Sequence, residues 1–221
     1  MFHAQILTLF PEFFNSALAC SIPERAIKAG IIQVDSLNIR SFSRDKHNKV
    51  DDAPYGGGPG MLMKPEPVVA AIRQARENHA GTHVVLLTPS GETFNQAKAR
   101  TYAELPGLTL VCGRYEGIDE RVVHYVDEEL SLGEYVLSGG EPAAMCVLDA
   151  IIRLLPGALG DADSAAQDSF GLGGLLDHPQ YTRPETFEGH HVPEILLSGN
   201  HARIAAWRQE QAKLRTRKVK I

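Results

Sequence analysis

The chain has 221 residues, of which 43% are hydrophobic and 22% charged, and a formal net charge of −5. This length suits one large domain or a domain with a smaller appendage, and the charge by itself does not indicate a nucleic-acid binder. The sequence has neither a basic start followed by an apolar segment nor an apolar run of about 18 residues. It therefore predicts a cytoplasmic protein without a signal peptide or membrane span.

Short apolar segments alternate with segments of helical pattern along the first part of the chain. Strands are predicted at 5–10, 31–39, 83–88, 108–113 and 129–137, and helices at roughly 12–29, 65–79, 94–103, 118–125 and 141–154. Strands separated by helices predict an α/β fold with a largely parallel sheet covered on both faces. In such folds ligands bind beyond the carboxyl ends of the strands.

Three glycine-bearing segments occur at the ends of predicted strands: "TPSGE" at 88–92, "GRYEGIDER" at 113–121 and "LSLGEYVLSGGEPAA" at 130–144. We expect them to converge on one pocket. The third segment matches neither the G-x-G-x-x-G dinucleotide pattern nor the G-x-x-x-x-G-K-[ST] phosphate loop. Its carboxylates, Glu134 and Glu141, would repel phosphate, so a neutral or cationic ligand is expected.

The sequence changes character after residue 155. Residues 156–184 are rich in Gly, Pro, Asp and Ser, and at this length they are far longer than the usual connection of about 4–6 residues. We therefore predict an α/β domain over 1–155, a linker over 156–184 and a small helical domain over 185–221. Ser198 or Asn200 is a candidate cap for the helix of the last domain.

Two basic regions have more than one interpretation. Between residues 203 and 220 a single acid, Glu210, accompanies seven basic residues: Arg203, Arg208, Lys213, Arg215, Arg217, Lys218 and Lys220. This segment is either a solvated terminus or a surface that contacts phosphates of a nucleic acid. Residues 44–62, which hold Tyr55 among glycines and lysines, are either a mobile surface loop or a segment that stacks on a base.

Cysteine and histidine patterns give little support for metal chemistry. The three cysteines are far apart in apolar contexts and are predicted to be reduced core residues: Cys20, Cys112 and Cys146. Four histidines near the C-terminus have no helical i, i+4 ligand spacing: His178, His190, His191 and His201. No metal ligand is therefore predicted.

Several ordered blocks of the sequence resemble one family. They are "LTLFPEFF" at 7–14, "DKHNKVDDAPYGGGPGM" at 45–61, "LVCGRYEGIDERVV" at 110–123, "LGEYVLSGGE" at 132–141, "DSF" at 168–170 and "YTRPE" at 181–185. The chain, to about residue 208, is similar to the bacterial tRNA (guanine-N1)-methyltransferases, the TrmD family. The resemblance implies a knotted SPOUT-type α/β domain and a homodimer with active sites between its subunits. It also implies methyl transfer from S-adenosylmethionine to N1 of the guanosine 3′ of the tRNA anticodon, which helps maintain the reading frame.

The resemblance also implies which residues act. The cofactor would be held, mostly through main chain, by Leu87, Pro89, Gly113, Glu116, Leu132, Gly133, Tyr135, Val136, Leu137, Gly139 and Gly140. The N1 of guanine must lose a proton while O6 gains negative charge, and the resemblance places the base on Asp168 and the stabilising cation on Arg153. Without the resemblance, these are a linker acid and a helix-end cation favoured by the helix dipole. The family implies Mg²⁺, with no site identified.

The chain departs from the family pattern at a few positions. Ala53 stands where an arginine is expected, Pro142 and Ala143 alter the segment after the glycine pair, and the chain ends at Ile221 where relatives run on by a helix, so it is either naturally short or truncated. Two alternative functions are a catalytically idle RNA-binding protein and a dehydrogenase. The missing G-x-G-x-x-G pattern disfavours the second.

Overall fold

The protein is described by a computed structural model that covers residues 1–160, 168–171 and 174–219. The chain forms two compact units, Met1–Gly160 and Asp161–Ile221. The division falls within the segment 156–184 that the sequence predicts to be a linker. The first unit holds the sheet and the second is mostly helical and irregular.

A five-stranded parallel sheet organises the first unit. Its strands are β1 (Phe2–Thr8), β2 (Ile32–Asn38), β5 (His83–Thr93), β6 (Gly107–Cys112) and β7 (Glu128–Ser131), in the order β2-β1-β6-β5-β7. The short strands β3 (Asp51–Asp52) and β4 (Leu62–Met63) form a separate antiparallel pair. Neighbouring strands of the large sheet are parallel throughout, which confirms the predicted α/β architecture.

Helices cover both faces of this sheet. They are α1 (Asn15–Leu18), α2 (Ser21–Lys28), α3 (Pro65–Asn78), α4 (Gln96–Ala103) and α5 (Glu141–Ile152), with 3-10 segments at Pro11–Phe14, Ile39–Phe42 and Glu120–Tyr125. The single helix predicted at 12–29 is wrong, since Ser21 has φ of 56°, a left-handed conformation that a continuous helix does not contain. The helix predicted at 118–125 is a 3-10 segment that begins at Glu120.

Two apolar clusters lie on opposite faces of the sheet. Ala4 and Ile6 of β1 belong to one cluster, which includes the buried face of α5. Leu7 belongs to the other, which includes the buried face of α3. Strands buried on both faces need apolar residues in near-continuous runs, which explains the run-like strand pattern in the sequence. The sheet is therefore a rigid base for the loops at its carboxyl edge.

Two strands, β5 and β7, differ most in length from their predictions, and both differences shape that edge. β7 stops at Ser131 rather than continuing to residue 137, because Gly133 has φ of 145° and its N–H donates to the Ser131 hydroxyl over 3.1 Å. β5 runs on to Thr93 through a bulge, so that Leu87 and Glu92 both pair with Leu130. Residues 132–140 thus form a loop, which we name the glycine loop.

The second unit contains β8 (Thr186–Phe187), β9 (His190–His191), α6 (Glu194–Leu197) and the long helix α7 (His201–Val219). The Asn200 side chain accepts a hydrogen bond from the Arg203 N–H over 3.1 Å, which confirms one of the two candidate caps. Leu176 N–H donates to the hydroxyl of Thr216, a buried residue of α7, over 2.8 Å. Lys220 of the predicted basic cluster lies outside the described residues.

The prediction for the cysteines is wrong at two of three positions. Cys20, between α1 and α2, and Cys146, on α5, are exposed, whereas Cys112 at the end of β6 is buried. Apolar residues next to a cysteine in the sequence do not show whether that cysteine lies on the buried or the exposed face of a helix. Burial raises the pKa of the Cys112 thiol, with a further contribution from the negative charge of Glu141. None of the described helices combines the length and the apolar character that crossing a membrane requires.

Candidate active site

A pocket opens at the carboxyl ends of β6 and β7 and at the bulge of β5. Its wall is formed by residues 86–90 at the β5 bulge, by 113–120 after β6 and by most of residues 129–140. The predicted convergence of three glycine-bearing segments is confirmed. Parallel strands cause it, because their carboxyl ends meet at one edge of the sheet.

The structure brings all of the predicted cofactor residues to this pocket. The wall includes Leu87, Pro89, Gly113, Glu116, Leu132, Gly133, Tyr135, Val136, Leu137, Gly139 and Gly140. Their roles as cofactor contacts stay predictions. Tyr135, Val136 and Leu137 are exposed, so the glycine loop presents apolar side chains at the surface of the molecule.

Gly139 and Gly140 lie so close to neighbouring residues that a side chain would not fit at either position. A Cβ on Gly140 would lie 2.7 Å from the Cα of Cys112, and the Gly140 N–H donates to the Gly113 carbonyl over 2.9 Å. A Cβ on Gly139 would lie 2.4 Å from Nε of Arg114. A side chain at either position forces a rearrangement, so these glycines fix the end of the glycine loop against the end of β6.

Acidic side chains dominate the charged part of the wall. Glu116, Asp119, Glu120 and Glu129 line it, against the single described cation Arg114. Hydrogen bonds from the Arg121 side chain lower the pKa of Asp119, which is therefore ionised at neutral pH. Such a wall favours a cationic or neutral ligand and disfavours phosphate.

The two acids of the glycine-rich segment are not among the wall residues that the structure describes. Glu141 is fully buried, accepts a hydrogen bond from the Thr8 hydroxyl over 2.6 Å and places Oε2 2.9 Å from Arg114 Nε. Glu134 is exposed and absent from the described wall. The expected preference for a neutral or cationic ligand stays a prediction, and "GRYEGIDER" supplies most of the acids that line the described wall. Sequence reasoning missed Asp119, Glu120 and Glu129, although that segment already contained the first two.

Comparison with known proteins assigns the chain to a family. The family model described as tRNA (Guanine-1)-methyltransferase TrmD matches residues 2–221. The chain belongs to the TrmD family. Relatives named tRNA (guanine-N(1)-)-methyltransferase include a protein of Wolbachia pipientis subsp. Culex pipiens, 50% identical over 98% of this chain and 94% of the relative. Others come from Syntrophotalea carbinolica, 53% identical over 96% and 85%, and Methylococcus capsulatus, 54% identical over 94% and 83%.

TrmD proteins are methyltransferases of the SPOUT class, and the parallel sheet described above agrees with that assignment. The chain returns from the edge strand β7 through the glycine loop to Gly113 at the end of the more central β6. α5 then packs against α2, α4 and the β1–β6 part of the sheet. The trefoil knot that the resemblance implies stays a prediction.

The two predicted catalytic residues lie in different units. Arg153 directly follows α5 in the first unit, where its N–H donates to the Asp149 carbonyl over 3.3 Å. Asp168 is in the second unit, is exposed, and its carbonyl accepts a hydrogen bond from the Gly171 N–H over 2.9 Å. Their assignment as stabilising cation and base stays a prediction.

The described residues do not form a metal site. No group of three or more His, Cys, Asp or Glu side chains in residues 1–160, 168–171 and 174–219 is placed to hold a metal ion. His191 Nδ1 instead lies 3.0 Å from the Thr186 hydroxyl within the β8–β9 pair.

Proposed function

We propose that this chain transfers a methyl group from S-adenosylmethionine to N1 of the guanosine immediately 3′ of the tRNA anticodon, which helps maintain the reading frame. We further propose that it works in the cytoplasm as a homodimer with active sites at the subunit interface. Family membership and the names of the relatives support the reaction. The observation that carries the proposal is the pocket itself, which combines closely approaching glycine backbone with an acidic wall.

S-adenosylmethionine fits the residues that line this pocket. It carries a sulfonium cation and no phosphate, so acids such as Glu116 and Glu129 attract it where they would repel a nucleotide triphosphate. Glycines of the wall such as Gly113, Gly133 and Gly139 carry no side chain, so part of this wall is main chain, which suits hydrogen bonds to an adenine or an amino-acid group. When bound, the cofactor supplies the methyl group.

Two side chains are proposed to accept the proton and to stabilise the negative charge in this reaction. Asp168 would accept the N1 proton of guanine, and Arg153 would stabilise the negative charge that develops on O6. A carboxylate with an ordinary pKa near ~3.9 is a weak base in water, so enclosure by the bound tRNA would raise its basicity.

Family membership implies Mg²⁺ in addition to the methyl donor. Since no suitable ligand group exists among the described residues, we propose that any Mg²⁺ is held by isolated carboxylates or by oxygens of the substrate.

The tRNA would be contacted by the exposed cations of α7 in the second unit. The described cations of α7 are exposed: Arg203, Arg208, Lys213, Arg215, Arg217 and Lys218. Neutralisation of backbone phosphates by such side chains is the main source of affinity for RNA. The segment 44–62, with Tyr55 fully exposed, is a second proposed contact.

The test supplies S-adenosylmethionine labelled in its methyl group with two tRNA transcripts that differ only in having guanosine or adenosine 3′ of the anticodon. We expect label in N1-methylguanosine of the first transcript and none in the second. Binding of both transcripts without any label would instead identify a catalytically idle RNA-binding protein. Label at another base would retain the enzyme and overturn its proposed target.

A further inference from the structure

An ion pair with one fully buried partner lies next to the glycine loop. Glu141, at the start of α5, has no exposed surface, and its Oε2 lies 2.9 Å from Nε of Arg114. Its other oxygen accepts the hydrogen bond from Thr8 at the end of β1. A carboxylate removed from water in this way is strongly unfavourable unless it is paired, so Glu141 depends on Arg114 at this position.

Arg114 connects that carboxylate to the glycine loop. Its Nη1 donates to the Ser138 carbonyl over 3.2 Å, and its guanidinium carbon lies 4.5 Å from the centroid of the Phe10 ring. The side chain also occupies the space in front of Gly139. Arg114 thus contacts the end of the glycine loop while forming part of the pocket wall.

Arg114 and Glu141 form an ion pair without an aligned hydrogen bond between Nε and Oε2. Within the described part of the chain, neither Arg114 Nε nor Glu141 Oε2 makes an aligned hydrogen bond, although the two atoms are only 2.9 Å apart. Without the charge of Glu141, the Arg114 guanidinium keeps only its described contacts with Ser138 and Phe10. Loss of the ion pair therefore weakens the attachment of Arg114 and its hold on the Ser138 carbonyl.

We propose that Glu141 is a positioning residue for cofactor binding: through Arg114 it holds the Ser138–Gly140 end of the glycine loop in the conformation that receives S-adenosylmethionine. The inference rests on the proposed function for the identity of the ligand. It concerns binding and loop order rather than the methyl transfer step, because Glu141 is fully buried and is not among the described residues of the pocket wall. Removing the pair should therefore affect the cofactor more than turnover.

The test is Glu141→Gln, which preserves shape and removes the charge. We expect backbone amides of residues 132–140 to exchange with solvent about tenfold faster in the protein without cofactor, while amides of β1 and β6 keep their protection. We also expect the Kd and KM for S-adenosylmethionine to rise about tenfold, with kcat changed less than about threefold.

Asp127→Asn is the matched control. Asp127 also pairs with an arginine of the first unit, Arg76 at 3.0 Å, but its described contacts join α3 and β5 and not the glycine loop. This variant should leave exchange of residues 132–140 and cofactor affinity unchanged. If Glu141→Gln folds poorly, Arg114→Lys gives the second measurement, since it keeps the charge but cannot span both Glu141 and Ser138.

Each outcome decides the role of Glu141. Uniformly faster exchange in β1, β6 and the loop would make Glu141 a core residue and overturn the proposal. Unchanged loop exchange with unchanged affinity would also overturn it. The unmodified protein is also tested for binding of S-adenosylmethionine. If it does not bind but Glu141→Gln still exchanges faster in the loop, Glu141 does order the glycine loop and the proposed function is wrong. The two results are separable because the exchange measurement uses no cofactor.

Discussion

The two units of this protein differ in how much of their structure is supported by a core. The first unit has apolar clusters on both faces of its sheet, whereas the described residues of the second include no buried hydrophobic side chain. Hydrophobic burial is the dominant favourable contribution to folding. The pocket at the edge of the sheet is therefore held by a packed core, whereas the described part of the second unit is joined by hydrogen bonds between distant segments, such as that between Leu176 and Thr216.

Charge separates the same two regions. The pocket of the first unit is lined by acids, and the long helix of the second carries exposed cations. We infer that the two units have different binding roles: the first selects the cationic cofactor, and the second attracts the anionic tRNA. The following changes test this contrast, beginning with the largest expected effect.

Asp168→Asn should lower turnover by about 10²–10⁴-fold, because the amide cannot accept the N1 proton, and should leave S-adenosylmethionine affinity within about twofold. Single-turnover kinetics and calorimetric titration measure the two quantities. Glu210→Gln, an exposed acid of the same unit, serves as the control and should change neither. Loss of cofactor affinity in Asp168→Asn would show that the second unit supports the cofactor site, against the proposed difference in binding roles.

Gly140→Ala should weaken S-adenosylmethionine binding by about tenfold or more and lower the melting temperature, because the added methyl group collides with the backbone of Cys112 and Gly113. Gly160→Ala is the matched control, since its Cβ would meet nothing within 4 Å. Both variants are measured by thermal unfolding with and without cofactor. Normal affinity in Gly140→Ala would mean that the end of the glycine loop tolerates displacement.

Replacing Arg217 and Lys218 by alanine should weaken tRNA binding and reduce the slope of log K against log salt by about 0.7–0.9 for each phosphate that the protein no longer neutralises. Arg215 is left intact because it donates to the Asp177 carbonyl over 3.1 Å within the second unit. Lys28→Ala in the first unit is the control. An unchanged salt slope would identify the end of α7 as a solvated helix without RNA contacts.

Glu128→Gln should make the stability of the first unit less sensitive to acid. Burial alone raises the pKa of Glu128, but hydrogen bonds from Lys98, Tyr102 and His83 together lower it below the ordinary value of 4.5. A depressed folded-state pKa contributes stability that is present above about pH 4.5 and disappears as the pH falls through the folded value. Melting temperatures between about pH 3 and 6 should therefore fall less steeply in the variant; equal slopes would contradict this.

Much of the first unit follows from local pattern. The parallel sheet and the meeting of three glycine-bearing segments follow from alternating strands and helices, because every crossover returns the chain to the same edge. The extent of β7 did not follow, since "ELSLGEYVL" alternates like a strand although Gly133 adopts a positive φ. An alternating apolar pattern does not show that a glycine within it adopts a positive φ, because that conformation is set by the turn in the folded protein.

The sequence by itself determined the family, the α/β class and the segments that form the pocket, because these depend on the order and spacing of residues. Only the tertiary structure decided which way the acids face. Glu141 turns inward to Thr8 and Arg114, Glu134 points outward, and the wall takes its charge mainly from acids elsewhere. In an irregular loop no periodicity links neighbouring side chains, so their directions are set by partners that are distant in sequence.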